Sequence, residues 1–226
     1  MIDPTDREFA LQLRSLRERL SAMAERVSQQ IALAMEALEV RDDELAQKVI
    51  DDDRIIDADE NEIDELAMRI LMVRSPVASD LRFVTMALKF VVDVERIGDL
   101  ATGIAKRALE LNPLPPLEWG GDLNRLATLV QRNLHLAIES FVSGNIDAAK
   151  MVIKADAEID RLNASLFAQL IAHVAADPAT VTRVIPLTSV SRYLERIGDH
   201  VQNLGEEVVF MVSADEVRHR GLVSTN

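Results

Sequence analysis

The strongest constraint on the fold is that the chain repeats itself. VIDDDRIID (Val49 to Asp57) aligns with VIKADAEID (Val152 to Asp160) at an offset of 103 residues, and DVERIGDLATGI (Asp93 to Ile104) aligns with YLERIGDHVQNL (Tyr193 to Leu204) at an offset of 100, with ERIGD identical. Duplication at this period produces two stacked or side-by-side copies of one supersecondary unit. Whatever one half folds into, the other repeats.

The unit itself is helical. Leu16, Leu20, Met23, Val27, Ile31, Ala34 and Leu38 recur at helical spacing without an intervening Gly or Pro, which predicts one long helix from about Arg7 to Glu39. A turn at Arg41 to Asp43 precedes a second helix, marked by Leu45, Val49, Ile56, Ile63, Leu66 and Ile70 and ending near Arg74. Ser75 before Pro76 reads as a cap followed by a first helical residue, opening a third helix to Leu111, where Asn112-Pro113 stops it. NPLPPLEWGG (112–121) is the one Pro/Gly-rich stretch and reads as a linker. The plan then recurs: a helix from Asp122 to Ser143 stopped by Gly144, another from Ile146 to Ala175, and a last one opened by Asp177-Pro178, with Pro186 kinking it or marking its start. The expected fold is all-α, two tandem three-helix bundles over residues 1–111 and 122–226. Composition agrees, since 226 residues with 48% apolar content contain only eight Gly, seven Pro and 4% aromatics, a bias toward helix interiors rather than pleated sheets.

Charge and cysteine content remove whole classes of function. A formal net charge of -13, with no basic tract to offset it, excludes nucleic acid as a partner. The absence of cysteine removes disulfides, thiolate metal sites and cysteine nucleophiles, and fits a reducing cytosol. The charged N-terminal segment has no signal-peptide core, and no apolar run reaches the roughly 18 residues needed to span a bilayer. The expected location is cytoplasmic. Phosphate-binding loops and nucleophile-elbow motifs are also missing.

What remains is a set of carboxylates. Each half carries two acidic pairs at i, i+4: Asp53 with Asp57 and Glu95 with Asp99, then Asp156 with Asp160 and Glu195 with Asp199. That spacing puts both carboxylates of a pair on one helix face, so two pairs on facing helices can present four to one point, as carboxylate sites in bundles do. Two readings stand, a solvated acidic face and a cation site. Duplication favours the second: of the ridge Asp53, Asp57, Glu60 and Asp64, only the first two have acidic counterparts, with Asn163 and Phe167 replacing the others. All-oxygen ligands imply Mg, Mn, Fe or, less typically, Zn. Arg96 and Arg196 suit local ion pairs. Gly98 and Gly198 are unfavourable inside helices by about 1 kcal/mol, a cost that close helix approach or room for a cluster would offset. His200, beside Asp199, has Leu100 as its counterpart and reads as an outer-face residue. A ferritin-like di-iron carboxylate enzyme would need two E-x-x-H motifs in core helices, and only Glu216 to His219 fits. A metal-free helical scaffold is the third possibility.

Duplicated ERIGD, together with VASDLRFV (Val77 to Val84), resembles the PhoU family over nearly the whole chain. That resemblance implies two three-helix bundles, whose E/D-x-x-x-D motifs hold multinuclear iron or zinc clusters on the surface. It maps them onto Asp53 and Asp57, Glu95 and Asp99, Asp156 and Asp160, and Glu195 and Asp199. It further implies a homodimeric negative regulator of phosphate uptake and of the phosphate-starvation response. Such a regulator acts between the ATPase of a phosphate ABC transporter and a sensor histidine kinase, and reaches the membrane only through those partners.

Overall fold

A computed structural model of the chain describes residues 4–74, 76, 78–117, 119 and 121–213. Six α-helices account for nearly all of them: α1 (Pro4–Val40), α2 (Asp43–Arg74), α3 (Ala78–Leu111), α4 (Asp122–Ser143), α5 (Ile146–Ala176) and α6 (Val181–Ser213). No strand occurs among the described residues. Helices α1, α2 and α3 pack on one another, as do α4, α5 and α6, giving the two three-helix bundles that the duplication predicts.

The duplication is visible down to single hydrogen bonds. Arg41 and Gly144, 103 residues apart, both adopt left-handed backbone, with φ of 61° and 67°. The next residue in each turn, Asp42 or Asn145, sends its N–H back to the carbonyl of Ala37 or Ser140, both at 3.0 Å. This is the six-residue bond of the Schellman ending, which satisfies a carbonyl that the helix leaves orphaned. The side chains of Asp42 and Asn145 then accept from Leu45 N and Ala148 N, capping α2 and α5.

The second connection differs between halves and differs from the sequence expectation. Pro76 lies outside the helix, and α3 begins at Ala78; either place leaves no ladder bond for proline to lose. Ser75 lies outside the described residues. In the second half Asp177 accepts from Ala179 N and opens a short 3-10 turn (Pro178–Thr180) that runs directly into α6. Pro186 is therefore not the start of the last helix but sits inside its second turn, where its missing N–H leaves one carbonyl unpaired.

The bundles share one continuous apolar core. Helix α3 lies against α6, and α1 against α4. Phe90 and Phe83 of α3 meet Phe141 of α4 with ring centroids 4.3 and 5.6 Å apart. A Cβ on Gly103 would stand 3.1 Å from Cε2 of Tyr193, so the tyrosine ring of α6 occupies the space that glycine leaves on α3. At the duplicated positions, Asp93 accepts from Nδ1 of His200 at 2.7 Å and from Nδ2 of Asn203 at 3.3 Å. These pairings run α3 and α6 antiparallel, with an aromatic contact at one end of the seam and a polar one at the other. His200, expected on the outer face, is half-buried in that seam, because the partner it answers is in the other half.

The linker is held. Arg41 donates to the carbonyls of Leu111, Asn112 and Leu114, while Arg183 reaches those of Pro115 and Pro116 at 3.4 and 3.3 Å. Trp119 packs against the core.

Candidate functional site

Antiparallel packing of α2 on α3 sets Asp53 near Thr102 and Asp99, and Asp57 and Glu60 near Glu95. The close approach rests on Gly98, whose added Cβ would touch Ile56 Cγ2 at 3.4 Å, one residue from Asp57. Gly198 does the same against Ile159, one residue from Asp160. Close helix approach is therefore what offsets the cost of glycine at both positions. Both quartets lie at the surface: Asp57, Asp99, Asp160 and Asp199 are exposed, and Asp53, Glu95, Asp156 and Glu195 are half-buried.

The quartets differ in how their charge is answered. In the first, burial pushes the Glu95 carboxyl up to about 7, with the neighbouring Asp99, Glu60 and Asp57 adding to the rise and Arg96 opposing it. Arg96 lies 3.5 Å from Glu95 and 3.1 Å from Asp99, the local ion pair its position suggests. Asp53 is also raised by burial, with the nearby Asp99 and Asp57 adding to the rise and Lys106 opposing it. In the second, Asp156 is pushed up to about 6 by burial and then by Asp160, Asp199 and Glu195, with nothing opposing. Glu195 and Asp199 are raised too, chiefly by burial. Glu206 stands where the first half has Lys106, so Asp156 lacks the relief that Asp53 has, whereas Arg192 and Arg196 oppose the rise at Glu195 and His200 and Arg196 oppose it at Asp199.

Glu60 belongs to the first cluster, although duplication argues it away. Its counterpart Asn163 hydrogen-bonds Ser191, the residue at the position of Val91, so the second half has replaced a carboxylate with a neutral tie between α5 and α6. The sequence signal for Glu60 was its i, i+3 spacing from Asp57, which the comparison between halves outweighed.

The residues suit a cation in donor chemistry and in charge. Every candidate ligand is a carboxylate, the donor that hard and borderline ions prefer. Asp156 Oδ1 is buried and has no hydrogen-bond partner among the described residues, an arrangement that leaves a charged oxygen unanswered. As the side chains stand, no group of three His, Asp or Glu among the described residues converges closely enough to hold an ion. Each quartet is a gathering of mutually repelling carboxylates rather than a finished coordination shell. Glu216 to His219 lies outside the described residues.

A family model described as the PhoU domain matches the chain twice, over residues 20–108 and 123–208. The chain is 37% identical over 216 residues to the phosphate-specific transport system accessory protein PhoU homolog of Pseudomonas putida, covering 95% of this chain and 84% of that protein. It is 32% identical to the phosphate-specific transport system accessory protein PhoU of Escherichia coli K12, covering 95% and 89%. Among solved structures, PhoU from Pseudomonas aeruginosa superposes with a TM-score of 0.88 at 35% identity, covering 92% of this chain and all of that one. The phosphate transport system regulatory protein PhoU from Streptococcus pneumoniae gives 0.86 at 26% identity, covering 92% and 99%.

Proposed function

The chain belongs to the PhoU family, and we propose that it is a negative regulator of phosphate uptake and of the phosphate-starvation response, acting as a metal-binding adaptor. The observation that carries the accessory role in phosphate transport is the pair of family matches, one on each bundle. The relatives are named as accessory and regulatory proteins, which sets the di-iron enzyme reading aside.

The finer reading has the adaptor meet the ATPase subunit of a phosphate ABC transporter and a sensor histidine kinase, in the cytoplasm and as a homodimer. No helix of the described residues is long and apolar enough to cross a membrane, in keeping with association through partners.

In this reading Asp53, Asp57, Glu95 and Asp99 hold metal in the first bundle, and Asp156, Asp160, Glu195 and Asp199 in the second. Iron or zinc in a multinuclear cluster is the ion that the resemblance implies, with Mg or Mn as alternatives. A bound cation supplies positive charge that turns carboxylate repulsion into coordination. The chain's own contribution is to fix the carboxylates on adjacent helix faces through the Gly98 and Gly198 contacts and, by burying Glu95 and Asp156, to raise the cost of leaving them charged and alone.

The test is a pull-down of the full chain from phosphate-replete cells, with the transporter ATPase and the histidine kinase as specific readouts. Both co-purifying supports the adaptor. Neither doing so, in cells whose starvation reporter the chain still represses, overturns it.

A further inference from the structure

Eight of the fifteen large apolar side chains exposed among the described residues stand on two lines, four on the outer seam between α2 and α3 and four on that between α5 and α6. On α2, Asp53, Asp57, Glu60, Asp64 and Met68 follow one another at intervals of three or four, and so on α3 do Leu81, Thr85, Leu88, Val92, Glu95 and Asp99. Residues so spaced share one face of a helix. The two helices run antiparallel, with Ile56 against Gly98 and Glu60 near Glu95, so Met68 comes opposite residues 86–87 and Asp64 opposite residues 90–91. The seam is thus acidic at one end and apolar at the other, where Met68, Met72, Leu81 and Val92 are 47%, 72%, 41% and 44% exposed.

Duplication separates what both bundles keep from what the first has added. The apolar end recurs in the second seam, where Phe167, Ile171, Val181 and Ile185 are exposed, and Ile171 and Val181 stand for Met68 and Leu81. Exposed apolar side chains scattered singly need no explanation, but a line of them kept in both copies does. The acidic middle does not recur: Asn163 replaces Glu60, Phe167 replaces Asp64 and Arg192 replaces Val92. No ion pair engages Glu60 or Asp64 among the described residues, and Arg96 bridges to Glu95 and Asp99 instead. The first seam therefore offers apolar anchors and unanswered negative charge side by side.

We infer that the α2–α3 seam docks a basic amphipathic helix of a partner protein, with an apolar stripe seated on Met68, Met72, Leu81 and Val92 and lysines or arginines answering Glu60 and Asp64. From Leu81 to Asp99 the seam is about 27 Å long at 1.5 Å per residue, the length of a helix of about five turns. Helices with apolar anchors at i, i+4 and i+7 are what such faces take, and methionine, flexible and polarisable, adapts to anchors of differing shape. A second copy of this chain does not match. Antiparallel seams would set the acidic end of one against the apolar end of the other, and parallel seams acid against acid, leaving charge buried without a partner. Anionic lipid headgroups would meet the same repulsion. The net charge of -13 draws a cationic partner in at long range. The inference deepens the adaptor reading, on which it rests for there being a partner, and needs none of the proposed metal ligands.

The experiment uses the full chain, kept in chelator at about 0.15 M salt, and a fluorescent synthetic helix of about 18 residues with leucine along one stripe and lysine elsewhere. One control peptide carries glutamate in place of lysine, and another keeps the lysines but scrambles the stripe. Read by fluorescence anisotropy, the lysine amphipath is expected to bind saturably and at least about tenfold more tightly than either control. Met68→Glu/Met72→Glu, at exposed positions that leave the fold helical by circular dichroism, should weaken it by about tenfold or more, although two added negative charges would strengthen a merely electrostatic association. Glu60→Gln/Asp64→Asn should weaken it by about threefold or more, and Ile171→Glu on the second seam should leave it within about twofold. No binding, equal binding of the glutamate peptide, undiminished affinity in Met68→Glu/Met72→Glu or an equal loss in Ile171→Glu would overturn the inference. So would loss, in the Met68→Glu/Met72→Glu variant, of self-association or of binding to phosphatidylserine vesicles, which would make a second copy or a lipid surface the occupant. None of these outcomes touches the adaptor reading, which the pull-down tests on its own.

Discussion

A Cβ added to Gly198 would stand 3.0 Å from both Cδ1 and Cγ2 of Ile159. At the duplicated pair, the same addition to Gly98 meets Ile56 Cγ2 at an ordinary 3.4 Å. Helix α6 is thus seated more tightly on α5 than α3 on α2, in a molecule whose two ERIGD motifs are identical.

The two Gly→Ala substitutions should therefore differ in sign. Alanine gains about 1 kcal/mol of helix propensity at either site. At Gly198 a forced displacement of Ile159 costs about 1–3 kcal/mol, so Gly198→Ala should be neutral to destabilising by about 2 kcal/mol. Gly98→Ala should be neutral or stabilising. Urea unfolding of the pair checks the order, and a Gly198→Ala protein more stable than Gly98→Ala would contradict the contact geometry.

Arg41 holds a left-handed conformation where its twin is Gly144, and its side chain clamps three carbonyls at the end of α3 and in the linker. Arg41→Gly relieves backbone strain of about 1 kcal/mol but removes charged hydrogen bonds contributing about 1.5–3 kcal/mol. The expected result is a net loss of about 1 kcal/mol, together with faster proteolysis between residues 112 and 121. Limited proteolysis at unchanged rate would show that the clamp does not hold the linker.

Both bundles, the helix ends at Arg41 and Gly144 and the carboxylate pairs were legible because helical periodicity and duplication are local or pairwise signals. What escaped were features created by docking. His200 looks like a surface residue when compared with Leu100, but its partner is Asp93 on the other bundle, and no single-helix pattern records that. Comparison with neutral Asn163 argues Glu60 away, although it lies near Glu95 across the α2–α3 seam. The buried amide of Gln30 has no motif behind it: only its burial reveals that neither end has a hydrogen-bond partner among the described residues.

Metal-free protein should lose stability as pH rises through the range in which the clustered carboxyls ionise. Glu95 is raised from 4.5 to about 7 and Asp156 from 3.8 to about 6, so between those limits the folded chain holds more protons than the unfolded one. The cost of ionising these half-buried carboxyls, chiefly burial and then mutual repulsion, is absent below about pH 4 and complete above about pH 7, and stability declines between. Thermal unfolding in chelator should give a lower midpoint near pH 8 than near pH 5, with a smaller difference in Glu95→Gln and in wild type supplied with a binding cation. A midpoint rising steadily over that range would show that other groups dominate.

The most direct test of the account is the metal content of the purified protein, measured by elemental analysis on wild type, on Glu95→Ala/Asp99→Ala, on Glu195→Ala/Asp199→Ala and on the four-fold variant. The account predicts metal in the wild type, loss of one bundle's share in each double variant, and none in the four-fold variant, with all four chains still helical by circular dichroism. Equal metal in the wild type and the four-fold variant would contradict it.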